Sequence, residues 1–210
     1  IERMQPGSIG CVLKQINLVK TGLINIVPKL RINGDCEVET FGLYASEEAH
    51  VAEVLAQEKP LCVGRVKEML LGDYAVGVIT KVSLKDCGVE YLMLTAKKEA
   101  HVAEVLAQEK PFCVGRMKKM VLLDYAASVI TKMTIHEDNT MDDFILDPGR
   151  DQLSRILEEG DNSIELGRIR TGGVFHVPKE IRRKLRYTLV DGRGKEVGGE
   201  RSSHRGSRLE

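Results

Sequence analysis

Apolar runs along the middle of the chain alternate with apolar positions at helical spacing. Val38–Ala45 is rich in β-forming residues and predicts a strand. Ser46 then stands at a helix N-cap position, and Pro60 marks the end of the helix. The apolar side chains between them share one helical face: Val51, Val54 and Leu55. The pattern therefore predicts a strand followed by an amphipathic helix.

Two further apolar runs follow this helix. Leu61–Met69 predicts a second strand, residues 72–73 a turn, and Tyr74–Leu84 a third strand. The predicted unit is thus strand–helix–strand–strand. One unit of this size cannot bury both its helix face and its sheet face. Neighbouring units must therefore share a core, or the chain must dimerise.

This unit occurs twice with little change. Ala49–Pro60 recurs unchanged as Ala100–Pro111, an offset of 51 residues. An ungapped alignment of residues 34–84 with residues 85–135 gives 33 identities in 51 positions. The predicted fold class is α+β, with tandem 51-residue units that share a β-rich core and whose sheets could close as a barrel. A natural and an engineered duplication both fit this pattern.

Three regions follow from the repeat and from the charge pattern. Residues 1–135 form the repeat body, residues 136–190 are a divergent repeat, and residues 191–210 predict a flexible tail because they lack apolar periodicity. Residues 137–166 carry ten acidic and two basic side chains, whereas residues 168–208 carry twelve basic and four acidic ones. Either these segments neutralise each other, or the basic one contacts phosphates or an acidic partner.

The overall composition excludes several classes of function. The 210 residues carry 31 basic and 31 acidic side chains, and the hydrophobic fraction of 42% is typical of globular proteins. No apolar run is long enough to span a bilayer and no secretory signal is present, so we expect a cytoplasmic protein without a membrane partner. The sequence has no Walker A, dinucleotide-binding, nucleophile-elbow or zincin motif. We therefore expect no cofactor and no enzymatic activity.

The cysteines and histidines follow the repeat rather than the spacing of a metal site. Cysteines stand at positions 11, 36, 62, 87 and 113, without a C-x-x-C pair or a histidine at ligand spacing. We therefore expect no metal and reduced, mostly buried thiols. His50 and His101 are equivalent copies on the polar side of the predicted helix, so we expect both to be solvated.

A segment near the C-terminus has a pattern of its own. Gly173–Leu185 reads G-V-F-H-V-P-K-E-I-R-R-K-L, a strand that ends in Pro-Lys and enters a short helix, and Ile164–Arg170 precedes it. This segment, residues 164–185, resembles the signature of AbrB-type transition-state regulators. Val174 stands where that family usually has arginine. The resemblance implies a swapped-hairpin dimer that binds DNA through basic residues.

The resemblance and the basic charge together indicate a non-enzymatic binding protein that contacts nucleic acid. DNA is the expected partner, and a homo-oligomer is the expected state. Lys179, Arg182 and Arg183 match the motif position by position. The candidate nucleic-acid-binding residues are Arg168, Arg170, Lys179, Arg182, Arg183, Lys184 and Arg186.

Two alternatives stay open. The near-identical repeat, the neutral body and the opposite charges of the C-terminal segments also fit a structural or self-assembly protein. In addition, the helix Val51–Lys59, the strand Leu61–Val66 and the segment Val76–Thr80 follow one another in an order similar to that of CBS nucleotide-sensing modules. Ser83 and Thr134 stand where that family carries a ribose-binding aspartate. This second resemblance implies a nucleotide ligand.

Overall fold

The structure is a computed structural model that describes residues 3–84, 88–149 and 152–197, so Cys87 lies outside the described residues. Within these ranges the strands are β1 Ile9–Cys11, β2 Gln15–Val19, β3 Leu30–Ile32, β4 Glu37–Ala45, β5 Arg65–Asp73, β6 Tyr91–Ala96, β7 Phe112–Cys113, β8 Lys119–Asp124, β9 Met133–Thr134, β10 Thr140–Met141, β11 Asp143–Asp147, β12 Ile164–Arg170, β13 Phe175–His176 and β14 Leu185–Val190.

The helical segments are all short. The 3₁₀ helices are η1 Gly22–Lys29, η2 Glu48–His50, η3 Tyr74–Lys81, η4 Glu99–Val102, η5 Tyr125–Lys132 and η6 Lys179–Lys184. The α-helices are α1 Ala52–Leu55, α2 Ala103–Leu106 and α3 Ser154–Glu158. None of these described helices has the length and the apolar character that a membrane crossing requires.

Parallel pairing arranges the strands as a succession of coils, where a coil is one turn of the chain from one strand of the large sheet to the next. The largest sheet has the order β13-β11-β8-β6-β5-β4-β2, which follows the chain, and all its pairs are parallel. After each strand the chain turns through a helical segment, passes a shorter strand or bridge, and returns to the large sheet one position further along. The protein is therefore a mixed α/β structure around a large parallel sheet.

The pairing register shows how the coils relate to the sequence repeat. Phe41 pairs with Met69, Met69 pairs with Leu92, and Leu92 pairs with Met120. Positions two strands apart in the sheet, such as Phe41 and Leu92, are therefore separated by the same offset at which the sequence repeats. Each repeat unit consequently contains two coils rather than one.

One side of the large sheet faces the hydrophobic core. A row of completely buried side chains crosses five neighbouring strands: Phe41, Met69, Leu92, Met120 and Phe144. Val54 and Val105, from the short α-helices, are completely buried in the same core cluster. Because side chains of a strand alternate between its two faces, each coil contributes to the core from every second residue of its long strand.

The smaller sheets are also parallel. They pair β1 with β3, β7 with β9, and β12 with both β10 and β14. No sheet among the described residues closes on itself, so the expected barrel is not found. Each coil adds its strand at the edge of a growing sheet, and parallel strands joined by crossover connections extend a sheet in this way.

The predicted third strand, Tyr74–Leu84, is wrong, because most of it is the 3₁₀ helix η3. Asp73 has φ of 51° and turns the chain away from the sheet at the end of β5. Thr80 Oγ1 then donates to the carbonyl oxygen of Gly77 at 2.9 Å. The middle residues of the segment, 75–79, are all buried and form an unbroken nonpolar run. A short buried run of this kind does not distinguish a strand from a helix.

The strand predicted at Val38–Ala45 is confirmed as β4, but the helix after it is shorter than expected. It is divided into η2 and α1, and Ser46 is not its N-cap. Val51 at the junction has φ of −118°, outside the helical range. The apolar face is nevertheless confirmed, because Val51 and Val54 are buried.

The second predicted strand, Leu61–Met69, is displaced toward the C-terminus by a corner. Glycines with positive φ occupy this corner in three coils: Gly64, Gly115 and Gly167. A Cβ at Gly64 would approach the carbonyl oxygen of Cys36 to 2.5 Å, so the corner requires glycine there. The long strand β5 consequently begins at Arg65.

The C-terminal end of the described chain folds back along β14. The Asp191 N–H donates to the carbonyl oxygen of Lys195, and the Val197 N–H donates to that of Leu189. The predicted flexible tail therefore begins with a hydrogen-bonded turn, and residues 198–210 lie outside the described residues.

Candidate functional site

The large sheet has a second side, the outer face, on which three rows of side chains cross the strands. The strand register places the members of each row next to one another. The charged row contains Gln15, Thr40, Glu68, Tyr91, Lys119 and Asp143. The apolar row contains Asn17, Gly42, Leu70, Met93, Val121, Ile145 and His176. The third row contains Val19, Tyr44, Gly72, Thr95, Leu123 and Asp147.

The apolar row is unusual for a parallel sheet. Its four central side chains are Leu70, Met93, Val121 and Ile145. They are partly exposed, and none of them belongs to the core cluster or packs against it. Parallel sheets normally have both faces covered by other elements. An apolar row on a face that no described element covers makes this face the candidate functional surface.

Two glycines make a groove in one half of the outer face. Gly42 and Gly72 have no side chains, and a Cβ at either position would collide with Asn17 or Tyr44, which lie across them from the neighbouring strands. The groove has a volume of about 210 Å³ and extends as far as Met93. The half of the outer face formed by β2, β4 and β5 is therefore low at its centre.

The charged row contains one ion pair and one unpaired carboxylate. Lys119 Nζ lies 2.7 Å from Asp143 Oδ2. This pair raises the pKa of Lys119. It also lowers the pKa of Asp143, whose Oδ1 accepts a hydrogen bond from the Val174 N–H. Glu68, in the same row, has no ionic partner within the described residues.

A buried group of polar side chains holds one wall of the groove. Tyr44 donates its hydroxyl to the Asp73 carboxylate, and the Lys97 N–H donates to Asp73 Oδ1 at 3.1 Å. His101 Nδ1 lies 2.9 Å from the same oxygen, close enough for an ion pair but without the in-line geometry of a hydrogen bond. Burial raises the pKa of Asp73, but these partners outweigh it and the pKa is lowered. The hydrogen bond to Asp73 raises the pKa of Tyr44.

The expectation that both repeated histidines are solvated is wrong. The His101 side chain is 4% exposed, and its ring packs against Tyr74 with 4.5 Å between the centroids. The His50 side chain is 18% exposed, and Gly22 stands beside it. The polar side of each short helix is covered by the neighbouring coil, which the sequence of one unit does not reveal.

The seven candidate nucleic-acid-binding residues fall into two groups. Four of them pair with acidic side chains of residues 137–166, so the opposite charges of the two segments are partly matched within the chain. The pairs are Arg170–Asp142, Arg183–Asp161, Lys184–Asp161 and Arg186–Glu165. The other three have no acidic partner among the described residues: Arg168, Lys179 and Arg182.

Lys184 has a structural position. Its side chain is buried, and its Nζ donates to the carbonyl oxygen of Glu159 at the end of α3. Equivalent lysines end η3 and η5 and donate to carbonyl oxygens after α1 and α2: Lys81 to Gln57 and Lys132 to Gln108. A cation at a helix C-terminus satisfies carbonyl groups that lack an intrahelical partner. Lys184 therefore links two coils rather than contributing to an exposed basic surface.

The segment that resembles AbrB-type regulators is divided between two sheets. Ile164–Arg170 is β12 and pairs in parallel with β10 and β14. Phe175–His176 is β13 and pairs with β11 in the large sheet. Pro178 then precedes η6, so the order of strand, proline and helix is present. The two strands do not pair with each other, and DNA binding stays a prediction.

The segment Val76–Thr80, which corresponds to a strand in the order of a CBS module, lies in the 3₁₀ helix η3. Leu61 forms only an isolated bridge to Val82 instead of starting a strand. The order that resembles a CBS module is therefore only partly present, and nucleotide binding stays a prediction.

The described cysteines are less buried than expected. Cys62 and Cys113 are exposed, and Cys11 and Cys36 are partly exposed. They lie on short strands and corners rather than on the core side of the large sheet, which explains the difference. No group of three or more potential metal ligands occurs in the described part of the chain.

Comparisons with protein-family models, with curated proteins and with solved structures find no match for this chain. The outer face is therefore the candidate functional site, and it is not among the sites that were predicted from the sequence. A signal for it exists in neighbouring apolar residues on the long strands, such as Leu70-Leu71 and Met93-Leu94. In a strand, such neighbours point to opposite faces, so both faces carry apolar side chains.

The buried carboxylate of Asp73 generates a pH prediction. Its pKa is lower in the folded chain than the ordinary value of 3.8, so it stabilises the fold above that pH, and this contribution is lost as the pH falls through the folded pKa. We expect Asp73→Asn to lower the free energy of unfolding by about 2 kcal/mol at pH 7, because it loses a charge-assisted hydrogen-bond acceptor. Urea unfolding at several pH values measures the difference.

The difference between wild type and Asp73→Asn should decrease below pH 4. Asp35→Asn is the matched control, since the Asp35 side chain is 88% exposed, and we expect little change in stability at either pH. An effect of Asp73→Asn that is the same at pH 7 and at pH 3 would contradict the role assigned to the carboxylate.

Proposed function

We propose that the protein is a non-enzymatic binding scaffold whose working surface is the outer face, where it contacts the surface of a protein. The observation that carries this proposal is the apolar row of β5, β6, β8 and β11, which no described element covers. Removal of apolar surface from water contributes about 25 cal/mol per Å². A complex with an apolar partner surface on this row would therefore be stabilised. Its formation would not require the coils beneath the row to rearrange.

The dimensions of the outer face favour a macromolecule over a small ligand. The groove of about 210 Å³ is smaller than the roughly 300–1,000 Å³ of typical small-molecule sites. The groove is also open, whereas a small-molecule site encloses most of the surface of its ligand. Neighbouring strands lie about 4.8 Å apart, so the apolar row offers a long, regular contact line for a protein surface.

Nucleic-acid binding is the second candidate, and a specific observation favours it. Arg168, Lys179 and Arg182 lie in the coil formed by β12, β13 and η6, and they have no acidic partner among the described residues. Unpaired cations on a surface release counterions from a phosphate backbone when they bind it. The acidic partners of Arg170, Arg183 and Arg186 oppose the same interaction at those positions.

The scaffold proposal predicts contact-specific cross-linking. A photoreactive amino acid placed at Met93, on the outer face, should give protein adducts in cells that make the chain. The same amino acid at Ala103, which is exposed on α2, is the matched control and should give at least several-fold fewer adducts. Mass spectrometry identifies the adducts. Equal yields at the two positions, or none at Met93, would count against the outer face as a working surface.

The nucleic-acid candidate predicts a specific change in salt dependence. Replacing Arg168, Lys179 and Arg182 together by Gln should reduce the slope of log K against log salt by about 2.7 for duplex DNA, because each phosphate contact contributes about 0.9. Fluorescence anisotropy with a random-sequence duplex measures the slope.

The matched control for this experiment replaces three paired cations by Gln: Arg170, Arg183 and Arg186. We expect the control to change the slope less, because these side chains already have acidic partners. Identical slopes for the two triple variants, or no DNA binding by the wild type at low salt, would eliminate this candidate.

A further inference from the structure

The pattern of the outer face also identifies a partner, provided that this face is the working surface. We propose that the outer face binds a second copy of the same chain, with the two large sheets packed face to face about a two-fold axis that runs along β6. A contact of this kind is isologous, because each residue meets the same set of residues in both directions.

The position of β6 makes this symmetry possible. It is the fourth of seven strands, with β5, β4 and β2 on one side and β8, β11 and β13 on the other. A two-fold axis along β6 places β5 over β8 of the second copy, and β4 over β11. It also keeps each row opposite the same row, because the direction along the strands is unchanged.

Charge complementarity follows from this arrangement. Glu68 of β5 and Lys119 of β8 belong to the same row and flank β6 on opposite sides. The axis therefore places Glu68 of each copy opposite Lys119 of the other. Glu68 lacks an ionic partner within its own described chain, and Lys119 can hold Asp143 and the second carboxylate together.

Shape complementarity follows from the same axis. The low half of the outer face contains Gly42 and Gly72, whereas the corresponding positions on the other side of β6 carry Ile145 and Leu123. The symmetry places these aliphatic side chains over the groove of the second copy, where Asn17 and Tyr44 lie across the two glycines. Met93, at the centre of the apolar row, then meets its own symmetry equivalent.

A two-fold axis perpendicular to the strands gives a poorer contact. It would exchange the charged row with the third row, so that Glu68 would lie over Gly72 and Lys119 over Leu123. Both charges would then lose water without gaining an opposite charge, which is costly. The axis along β6 is therefore the one that the charges select.

The size of the outer face sets the expected affinity. Seven strands about 4.8 Å apart and about five residues long, at roughly 3.3 Å per residue, give about 500 Å² per copy. The total of about 1,000 Å² lies near the lower limit for a specific interface. We therefore expect a reversible dimer whose population rises with concentration.

Charge reversal tests the symmetry directly. Glu68→Lys places like charges opposite each other twice in the dimer, and Lys119→Glu does the same with the opposite sign. We expect each variant alone to raise the dimer dissociation constant about tenfold or more. An equimolar mixture of the two variants restores both opposite-charge contacts, so the mixture should dimerise within a few-fold of the wild type. Sedimentation velocity over a concentration series measures all four samples.

The matched control is Glu109→Lys, because Glu109 is exposed and lies outside the outer face; it should dimerise like the wild type. Circular dichroism verifies that each variant keeps its secondary structure. Recovery of the dimer in the mixture supports the proposal. A wild type that is monomeric at every accessible concentration, or a dimer that Glu68→Lys leaves unchanged, overturns it.

The same experiments separate this inference from the proposed function. A monomeric wild type together with adducts of other proteins at Met93 would overturn the second copy as occupant and leave the outer face as a binding surface. A monomeric wild type without adducts at Met93 would overturn both.

Discussion

The parallel hydrogen-bond register between successive coils is the constraint on which the rest of the structure depends. Each long strand must return to the large sheet at the height of the preceding one, so side chains form rows that cross the strands. On the core side, this register produces the completely buried row that includes Met69 and Leu92. Glycine at the corner, as at Gly64, lets the chain re-enter the sheet at the correct height. Lysines such as Lys132 then link the end of one helical segment to the next coil.

The same register determines the chemistry of the opposite side. Every residue placed in the core row has a neighbour in the chain that joins an outer row, because strand side chains alternate between faces. The alternation turns scattered residues into a charged row and an apolar row, and it places Glu68 and Lys119 symmetrically about β6. The C-terminal basic segment is a different kind of surface. There, acidic side chains from neighbouring coils already pair with Arg170 and Arg186, which leaves fewer charges for a polyanion.

The local parts of this fold can be predicted from the sequence. The strand β4 follows from a run of β-forming residues, and the buried face at Val51 follows from helical spacing within a few residues. The 3₁₀ helix at Tyr74–Lys81 was missed because a short buried run has the same composition in a helix and in a strand. The outer face was missed because a row depends on register between strands that are distant in the chain, and the sequence repeat conceals that each unit contains two coils. The cysteines recur at about half the repeat offset, which is close to the number of residues in one coil. This spacing was the available sign that each repeat unit contains two coils.

The rate of methionine oxidation by peroxide tests most directly whether the outer face is exposed in the single chain and covered in a dimer. It is followed by mass spectrometry at low and at high protein concentration. Met93 lies on the outer face, whereas Met69 and Met120 are completely buried in the core row. We expect Met93 to be oxidised much faster than the other two at low concentration, at a rate that falls as the concentration rises. Protection of Met93 equal to that of Met69 and Met120 at every concentration would mean that the chain covers its own outer face. A fast rate that does not depend on concentration would contradict the second copy as its partner.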